Sequence, residues 1–298
     1  MGPSITLNIG RFTLEHAARV FSTCQYAIGR NRSRIWNLCI NSLIFNRLKD
    51  QRPGAAIHSQ TVGFVAVLVV DAINRRFPGR TRIDRDEVVG AALLHDVGKL
   101  PRNQEEEGVF SGADGRDSRF HPKPVGDEAH LKAIIDHPNR SVDLLTDDNN
   151  KIPGMDPSLM IRILIDIGSH HGTKMTEVRF TRDFSDYLNS SSGLEKLMYY
   201  AGPRPVTREA AILMIVDACE ARLIRKIHEA RTEGLPDPKR SLAAIRQNVT
   251  EKVIKELKEQ GQLDESGIKD DELEIVAEMA AKGLTEVWKK LEAYDPEI

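Results

Sequence analysis

The sequence has few cysteines and no long apolar run. Its three cysteines, Cys24, Cys39 and Cys219, include no pair at CxxC spacing and cannot form a closed disulfide set, so we expect reduced, buried thiols. The longest apolar run, Thr61 to Val70, is well short of the roughly 18 residues that a membrane span needs. The N-terminus lacks the features of a secretion signal. The sequence therefore predicts a cytoplasmic protein without a membrane span.

The sequence also lacks an excess of charge of either sign. Its 42 Lys and Arg residues against 44 Asp and Glu residues give a formal net charge of -2. A protein that coats DNA or RNA needs a basic surface, so this balance argues against duplex nucleic acid as a partner. A small anionic ligand stays compatible with it, because a bound metal ion supplies positive charge locally. No glycine-rich phosphate loop is present, which argues against a nucleoside-triphosphate motor.

The apolar residues recur with helical spacing, and no sustained strand-like alternation is present. This periodicity predicts helices over residues 14–48 (interrupted at 29–32), 60–77, 84–98, 127–145, 156–171, 207–231, 241–260 and 270–293. Residues 102–127 are predicted to form a long loop, and residues 179–205 to be irregular apart from a short helix over 194–199. We interpret the chain as an all-α domain, residues 51–298, that includes a C-terminal helical appendage. This appendage consists of the last two predicted helices, residues 241–260 and 270–293. A helical N-terminal extension, residues 1–50, precedes it.

The placement of histidine and aspartate is the most informative feature. Five histidines fall at or near the ends of predicted helices, beside apolar stretches: His58, His95, His137, His170 and His171. Asp96 follows Ala91–Leu94 within a predicted core helix, and Asp217 has apolar neighbours on both sides. Buried carboxylates are rare unless they are paired or bind a metal. Together these side chains offer enough ligands for two metal ions bridged by one carboxylate, and they suit iron or manganese better than a structural zinc site.

Other residues have less specific explanations. Asp96 could instead turn outward near a helix end, and a His-His pair is more often a surface feature than a ligand pair. We expect His130 at a solvent-facing helix start, and His121 and His228 to be exposed. Tyr199 and Tyr200 are compatible with stacking on a base or with core packing. An arginine cluster is most simply a solvated face; it consists of Arg75, Arg76, Arg80, Arg82 and Arg85.

Taken together, these motifs resemble the HD-domain phosphohydrolases. His58 followed by His-Asp-Val-Gly-Lys at residues 95–99 looks like the opening signature of that superfamily. Later segments are similar to one branch, the cytoplasmic HD domains of seven-transmembrane proteins, which are cyclic di-AMP phosphodiesterases. These segments are residues 135–137, 142–144, 170–173, 200–205, 207–217 and 261–264. The resemblance covers about Ile57 to the C-terminus, and it implies the all-helical bundle of the HD domain.

The resemblance also implies two divalent metal ions, with iron or manganese as the expected metals. The first ion would be held by His58, His95, Asp96 and Asp217, and the second by Asp96 as a bridge, His137, His170 and His171. Lys99 lies one turn after the His-Asp pair and is expected to neutralise a phosphate oxygen; alternatively, it only complements the helix dipole. Asp96 and Lys99 are thus the predicted catalytic residues.

The implied activity is hydrolysis of a cyclic dinucleotide, cyclic di-AMP to linear pApA, by a metal-activated hydroxide. Members of the branch are membrane-tethered. Three alternatives stay open: an HD-type nucleotide phosphomonoesterase, a mixed-valent di-iron oxygenase on the same scaffold, and a degenerate sensor, although the full ligand set argues against the sensor. The acidic segment Glu105–Glu107 and an enlarged connection over residues 147–156 depart from the pattern of the branch, and both bear on substrate identity.

Overall fold

The computed structural model describes residues 34–101, 125–176, 181–190, 194–233 and 242–294, and most of them are helical. The α-helices are α1 (Arg34–Ile40), α2 (Leu43–Gln51), α3 (Pro53–Arg76), α4 (Arg85–Leu94), α5 (Glu128–Thr146), α6 (Pro157–Ser169), α7 (Arg182–Ser190), α8 (Arg208–Glu233), α9 (Leu242–Ile245), α10 (Glu251–Glu259) and α11 (Asp270–Tyr294). Short 3₁₀ helices cover Val97–Lys99, Asp148–Asn150 and Leu194–Met198, and a π-helical turn, Arg246–Thr250, joins α9 to α10. The predicted all-α class is confirmed.

Helix α3 lies at the centre of the bundle. It carries no Asp, Glu, Lys or Arg from Pro53 to Val70, and it packs against α2, α4, α8 and α11. Among the described residues it is the one helix whose length and hydropathy match those of a membrane span, and 83% of its apolar window is buried within the protein. Burial on all sides explains why the helix is apolar all round rather than on one face.

Part of the predicted N-terminal extension packs into the same core. Trp36 on α1 and Phe45 on α2 are buried in the hydrophobic cluster that includes α3 and α4. The helix predicted to run on to Leu48 is broken, because Ser42 caps a new helix by accepting a hydrogen bond from the Phe45 amide at 3.2 Å. Residues 1–33 lie outside the described part, and the domain boundary at residue 50 stays a prediction.

Side-chain caps set the helix starts that the sequence predicted. Asp84 accepts hydrogen bonds from the amides at the start of α4, Asp156 does so for α6, and Thr207 for α8. Helix α7 contradicts the expectation of an irregular tract over residues 179–205. It is short and mostly polar, and its Phe184 and Leu188 pack in a small separate cluster with Val125 and Leu131. Such a short helix leaves little periodic signal. The predicted loop over 102–127 lies almost entirely outside the described residues.

The C-terminal helices cover one side of the core. Helix α11 packs along α3, where Gly283 lies close to Val65 and Leu68, and α10 packs on α8 and α11. Cys39 and Cys219 are free and buried, as the sequence predicted, and burial raises the pKa of the Cys39 thiol to about 12. Cys24 lies outside the described residues.

The turn after α4 corrects one expectation. Helix α4 ends at Leu94, so His95 and Asp96 lie in a turn beyond the helix rather than within it. This turn packs tightly against α5: the Gly98 amide donates to Ser141 Oγ at 2.8 Å, and the Ser141 hydroxyl donates to the His95 carbonyl at 2.5 Å. The two hydrogen bonds hold His95 and Asp96 against the helix that carries His137.

Replacing Gly98 with alanine should destabilise the protein. A Cβ atom there would lie 2.1 Å from the His137 carbonyl oxygen and 2.7 Å from the Ser141 amide nitrogen, both backbone atoms of α5. We expect the free energy of unfolding to fall by about 1–3 kcal/mol, the usual cost of overpacking. Denaturant unfolding measures this, with Gly79→Ala as the control because a Cβ at Gly79 meets nothing within 4 Å. Equal unfolding midpoints for the two variants would contradict the close contact.

Candidate metal centre

The seven predicted ligands lie together in the interior of the bundle. His58 comes from α3, His95 and Asp96 from the turn after α4, His137 from α5, His170 and His171 from the end of α6, and Asp217 from α8. Six of the seven are buried, and the side chain of His171 is 13% exposed. Residues that are up to 159 positions apart in the sequence therefore meet at one centre.

The first group of ligand atoms contains His58, His95 and Asp217. His58 Nε2 lies 2.9 Å from Asp217 Oδ1 and 3.1 Å from His95 Nε2. His95 Nε2 is 3.6 Å from Asp217 Oδ1. These atoms lie within 4.8 Å of one another, so one ion could contact all three side chains.

The second group contains His137, His170 and His171. His137 Nε2 lies 3.3 Å from His170 Nε2, and the ligand atoms of the three side chains are also within 4.8 Å of one another. Asp96 lies between the two groups. Its Oδ2 atom is 3.5 Å from both His58 Nε2 and His95 Nε2, and its Oδ1 atom is 3.3 Å from His137 Nε2. This is the position that a bridging carboxylate requires.

Three of the histidines are oriented by the same kind of hydrogen bond, from ring Nδ1 to a backbone carbonyl. The Nδ1 atoms of His95, His137 and His170 lie 2.9, 2.6 and 2.6 Å from the carbonyl oxygens of Ala92, Ile134 and Ile167. Each carbonyl belongs to the residue three positions earlier and accepts a hydrogen bond from Nδ1, so a neutral ring carries its lone pair on Nε2. Their Nε2 lone pairs then point at each other and at carboxylate oxygens. A cation between them removes that repulsion.

His58 is oriented differently, by a carboxylate that the sequence analysis missed. Its Nδ1 atom lies 2.8 Å from Oε2 of Glu220, a residue that is 1% exposed. Glu220 follows Asp217 by three positions and so lies on the same face of α8, a spacing that could have indicated it. Burial by itself would lower the pKa of His58, but Glu220, Asp217 and then Asp96 raise it to about 10.

The protonation states of the other groups suit metal ligands. Burial lowers the pKa of the His137, His170 and His171 imidazoles, which favours their neutral forms. Burial alone would raise the pKa of Asp96, yet the charges of His95 and Lys99 hold it well below its usual value. The pKa of Asp217 is likewise well below its usual value, because its hydrogen bonds to His58 and His95 outweigh burial. Neutral imidazoles and ionised carboxylates are the forms that bind metals.

Two buried polar atoms of the centre have no hydrogen-bond partner among the described residues: Asp96 Oδ1 and His171 Nδ1. Leaving such atoms unsatisfied is costly in a protein interior. Each belongs to a predicted metal ligand, and a bound cation would satisfy both. The donor set and its unsatisfied atoms thus fit a metal site.

Lys99 and two tyrosines border the centre. Lys99 Nζ lies 2.6 Å from Asp96 Oδ2, and its side chain is 26% exposed, so Lys99 reaches from the surface to the buried carboxylate. Tyr200 stacks on His171 with ring centroids 4.2 Å apart, which favours the packing role over base stacking. Tyr199 is 49% exposed.

Among the other histidines, His130 is the one whose side chain the structure describes, and it belongs to none of the groups of possible metal ligands. His130 is buried, against the expectation of a solvent-facing position, because it lies on the same face of α5 as the buried His137 and Ser141. His121 and the side chain of His228 lie outside the described residues. In the arginine cluster, Arg80 forms ion pairs with Asp271 and Glu272, which is a structural role at the surface.

The family model of the HD domain matches residues 55–222 of this chain. The chain belongs to the HD domain family. The match spans more than half of the sequence and includes all seven predicted ligands together with Glu220.

Curated relatives of the family are longer than this chain. The cyclic-di-AMP phosphodiesterase PgpH of Bacillus subtilis is 24% identical over 240 residues, which are 80% of this chain and 28% of PgpH. The uncharacterized protein slr0104 of Synechocystis is 24% identical over 254 residues, 84% of this chain and 26% of that protein. The chain thus spans about a quarter of the length of these relatives.

Solved structures of an HD domain share the helical fold. The HD domain of the L. monocytogenes phosphodiesterase PgpH superposes with a TM-score of 0.59 at 21% identity, covering 83% of this chain and all of that domain. The same domain in complex with cyclic-di-AMP gives a TM-score of 0.58 at 20% identity, covering 82% and 96% of the two chains. The arrangement of helices is therefore that of an HD domain.

We predict that Glu220→Gln weakens metal binding. The amide can still accept the hydrogen bond from His58 Nδ1, but the negative charge is lost, so the pKa of His58 in the metal-free protein should fall from about 10. Loss of a charged residue that is hydrogen-bonded to a metal ligand typically lowers metal affinity about 10–100-fold. Histidine NMR titration and Mn²⁺ calorimetry measure the two effects. Glu256→Gln, which alters a partly exposed pair with Arg222, is the control; equal Mn²⁺ affinities in all three proteins would rule out the role of Glu220.

Proposed function

We propose that this chain is a metal-dependent phosphodiesterase that hydrolyses a cyclic dinucleotide, most specifically cyclic di-AMP to linear pApA. The observation that carries the proposal is the position of the buried Asp96 carboxylate between two groups of histidines. Family membership supports the same chemistry, and the relative named as a cyclic-di-AMP phosphodiesterase supports the substrate. The free, buried Cys39 and Cys219 support a reducing, cytoplasmic location.

The proposed cofactor is a pair of divalent cations, iron or manganese. His58, His95, Asp96 and Asp217 would hold one ion, and Asp96, His137, His170 and His171 the other. Two such ions about 3.5–4 Å apart lower the pKa of water, clamp a phosphate and take up the charge of the leaving oxygen. Imidazole and carboxylate ligands without thiolates suit iron and manganese.

The side chains of the centre have separate tasks in this proposal. The Nδ1 hydrogen bonds of His95, His137 and His170 fix the rings before substrate arrives. Asp96 and Asp217 stay ionised because their pKa values are held low, so neither serves as a general acid. The leaving 3′-oxygen of the substrate would then take its proton from water or from another acid.

Lys99 is the proposed contact to the phosphate. Its ammonium group pairs with the buried Asp96 Oδ2, while its side chain is partly exposed to solvent. A cation that shares the charge of Asp96 would weaken this pair and leave the ammonium group available for a phosphate oxygen. Lys99 would then stabilise the charge that develops on the phosphate in the transition state.

A substrate panel tests the proposed function. The protein is depleted of metal, reloaded with Mn²⁺ under anaerobic conditions, and incubated with cyclic di-AMP, cyclic di-GMP and mononucleotides. We expect conversion of cyclic di-AMP to pApA, loss of turnover on chelation, and loss of turnover in Asp217→Ala. Chromatography of the products measures each result.

The other outcomes of this panel identify the alternatives. Release of phosphate from mononucleotides with no cleavage of cyclic dinucleotides indicates a phosphomonoesterase. Cleavage under strictly anaerobic conditions argues against an oxygenase, whereas a product that forms only when oxygen is admitted to iron-loaded protein indicates one. Tight binding of cyclic di-AMP without turnover by the Mn²⁺-loaded protein indicates a sensor.

Lys99→Met should separate catalysis from metal binding. The variant keeps the aliphatic stem and removes the charge, so we expect kcat to fall about 100-fold, as when one charge-stabilising donor is lost. The Mn²⁺ content should be unchanged, because Lys99 is not a ligand. Lys151→Met, which alters an exposed pair with Asp148, is the control. An unchanged kcat would show that Lys99 only complements the end of its helical turn.

A further inference from the structure

The turn that carries His170 and His171 is held from outside by the C-terminal appendage. The turn follows α6 and comprises residues 170–173. Its contact is Gln262, which lies between α10 and α11 and beyond the part of the chain that the HD family model matches. Gln262 is 3% exposed, an unusual position for an amide side chain.

Both ends of the Gln262 amide bind the same residue of the turn. Its Oε1 atom accepts a hydrogen bond from the Thr173 amide at 3.0 Å, and its Nε2 atom donates to Thr173 Oγ1 at 3.1 Å. Arg204 Nε donates to the same Oγ1 atom at 3.3 Å. Two bonds from one rigid amide fix the orientation of Thr173 as well as its position.

Gly172 lets the Gln262 amide approach the turn this closely. Its φ of +55° lies in the left-handed region, and a Cβ atom there would lie 2.2 Å from Gln262 Oε1 and 2.9 Å from Met214 Cε. Any side chain at this position would therefore displace the amide. Glycine is needed here both for the backbone conformation and for the contact.

The turn is also held by the segment around Tyr200. The Tyr200 amide donates to the Lys174 carbonyl at 3.0 Å, and the Tyr200 ring stacks on His171. The turn thus has contacts with both the Tyr200 segment and Gln262. The anchor of His170 Nδ1 to the Ile167 carbonyl fixes its ring relative to α6, but the path of the chain after α6 depends on these outer contacts.

We infer that Gln262 is a positioning residue for the second metal group, His137, His170 and His171. It does so by fixing the turn on which two of these ligands lie. The inference rests on the proposed function, since it requires the second ion. It makes the C-terminal appendage part of the metal centre, although the appendage supplies none of the seven ligands.

The effect should be selective for one ion. His58, His95 and Asp217 are positioned by α3, the turn after α4, and α8, whereas Gln262 bonds to the turn after α6. Residues that orient metal ligands typically contribute about 10–100-fold to affinity. Loss of Gln262 should therefore weaken the second ion by that factor and leave the first ion bound as before.

Mn²⁺ titration of the metal-free protein, followed by calorimetry and EPR, tests this inference. The main variant is Gln262→Leu, which removes both hydrogen bonds at similar volume. We expect two ions in the wild type, and in the variant one ion of unchanged affinity and a second bound about 10–100-fold more weakly. The EPR signal of coupled manganese pairs should decrease accordingly at intermediate Mn²⁺ concentrations.

A pair of substitutions at Thr173 keeps the test decisive if Gln262→Leu does not fold. Thr173→Val removes the hydroxyl that Gln262 and Arg204 bind, whereas Thr173→Ser keeps it. We expect the valine variant to lose affinity for the second ion and the serine variant to bind both ions as the wild type does. Ser266→Ala is the matched control, since Ser266 is a buried polar residue of the same segment that bonds to Leu263.

The outcomes separate this inference from the proposed function. A wild-type protein that binds no Mn²⁺ overturns the proposed function and this inference with it. A wild type that binds two ions, together with variants at Gln262 and Thr173 that bind two ions equally tightly, overturns the inference alone. A lower melting temperature in the metal-free variants without a change in either affinity assigns Gln262 a structural role only.

Discussion

The structure depends on keeping the ionised carboxylate of Asp96 buried among imidazole lone pairs. Asp96 is 1% exposed, and its two oxygens face different groups of histidines. A buried charge of this kind needs compensation, which Lys99 supplies in part and two cations would supply in full. The helices that pack on α3 bring the other predicted ligands to this carboxylate, so the packing of the bundle sets the geometry of the metal centre.

Local backbone features fix the orientation of the ligand side chains. The carbonyl three residues before each of His95, His137 and His170 fixes the ring and its tautomer, a device that needs only a helical turn ending at the ligand. Gly98 and Gly172 allow two of these turns to approach their neighbours closely. Two residues outside the predicted ligand set add support: Glu220 bonds to His58, and Gln262 bonds to the turn that carries His170 and His171.

The all-α fold and HD family could be predicted because their signals are local: helical periodicity, caps such as Asp84, and the His-Asp pair. What sequence reasoning missed depends on tertiary contact. Glu220 and Gln262 act across 162 and 89 positions, respectively; the spacing of Glu220 from Asp217 and the motif at residues 261–264 draw attention to them but do not show which residues they bind. The burial of His130 and the helix end at Leu94 likewise follow from packing against other helices.

Anomalous diffraction from crystals of the Mn²⁺-loaded protein shows whether Asp96 bridges two ions. We expect two manganese peaks about 3.5–4 Å apart, one on either side of the Asp96 carboxylate. The peak near His58 and Asp217 should be separate from the peak near His137 and His170. A single peak that leaves Asp96 without a metal contact, or peaks away from these side chains, would show that the seven side chains do not form a two-metal site.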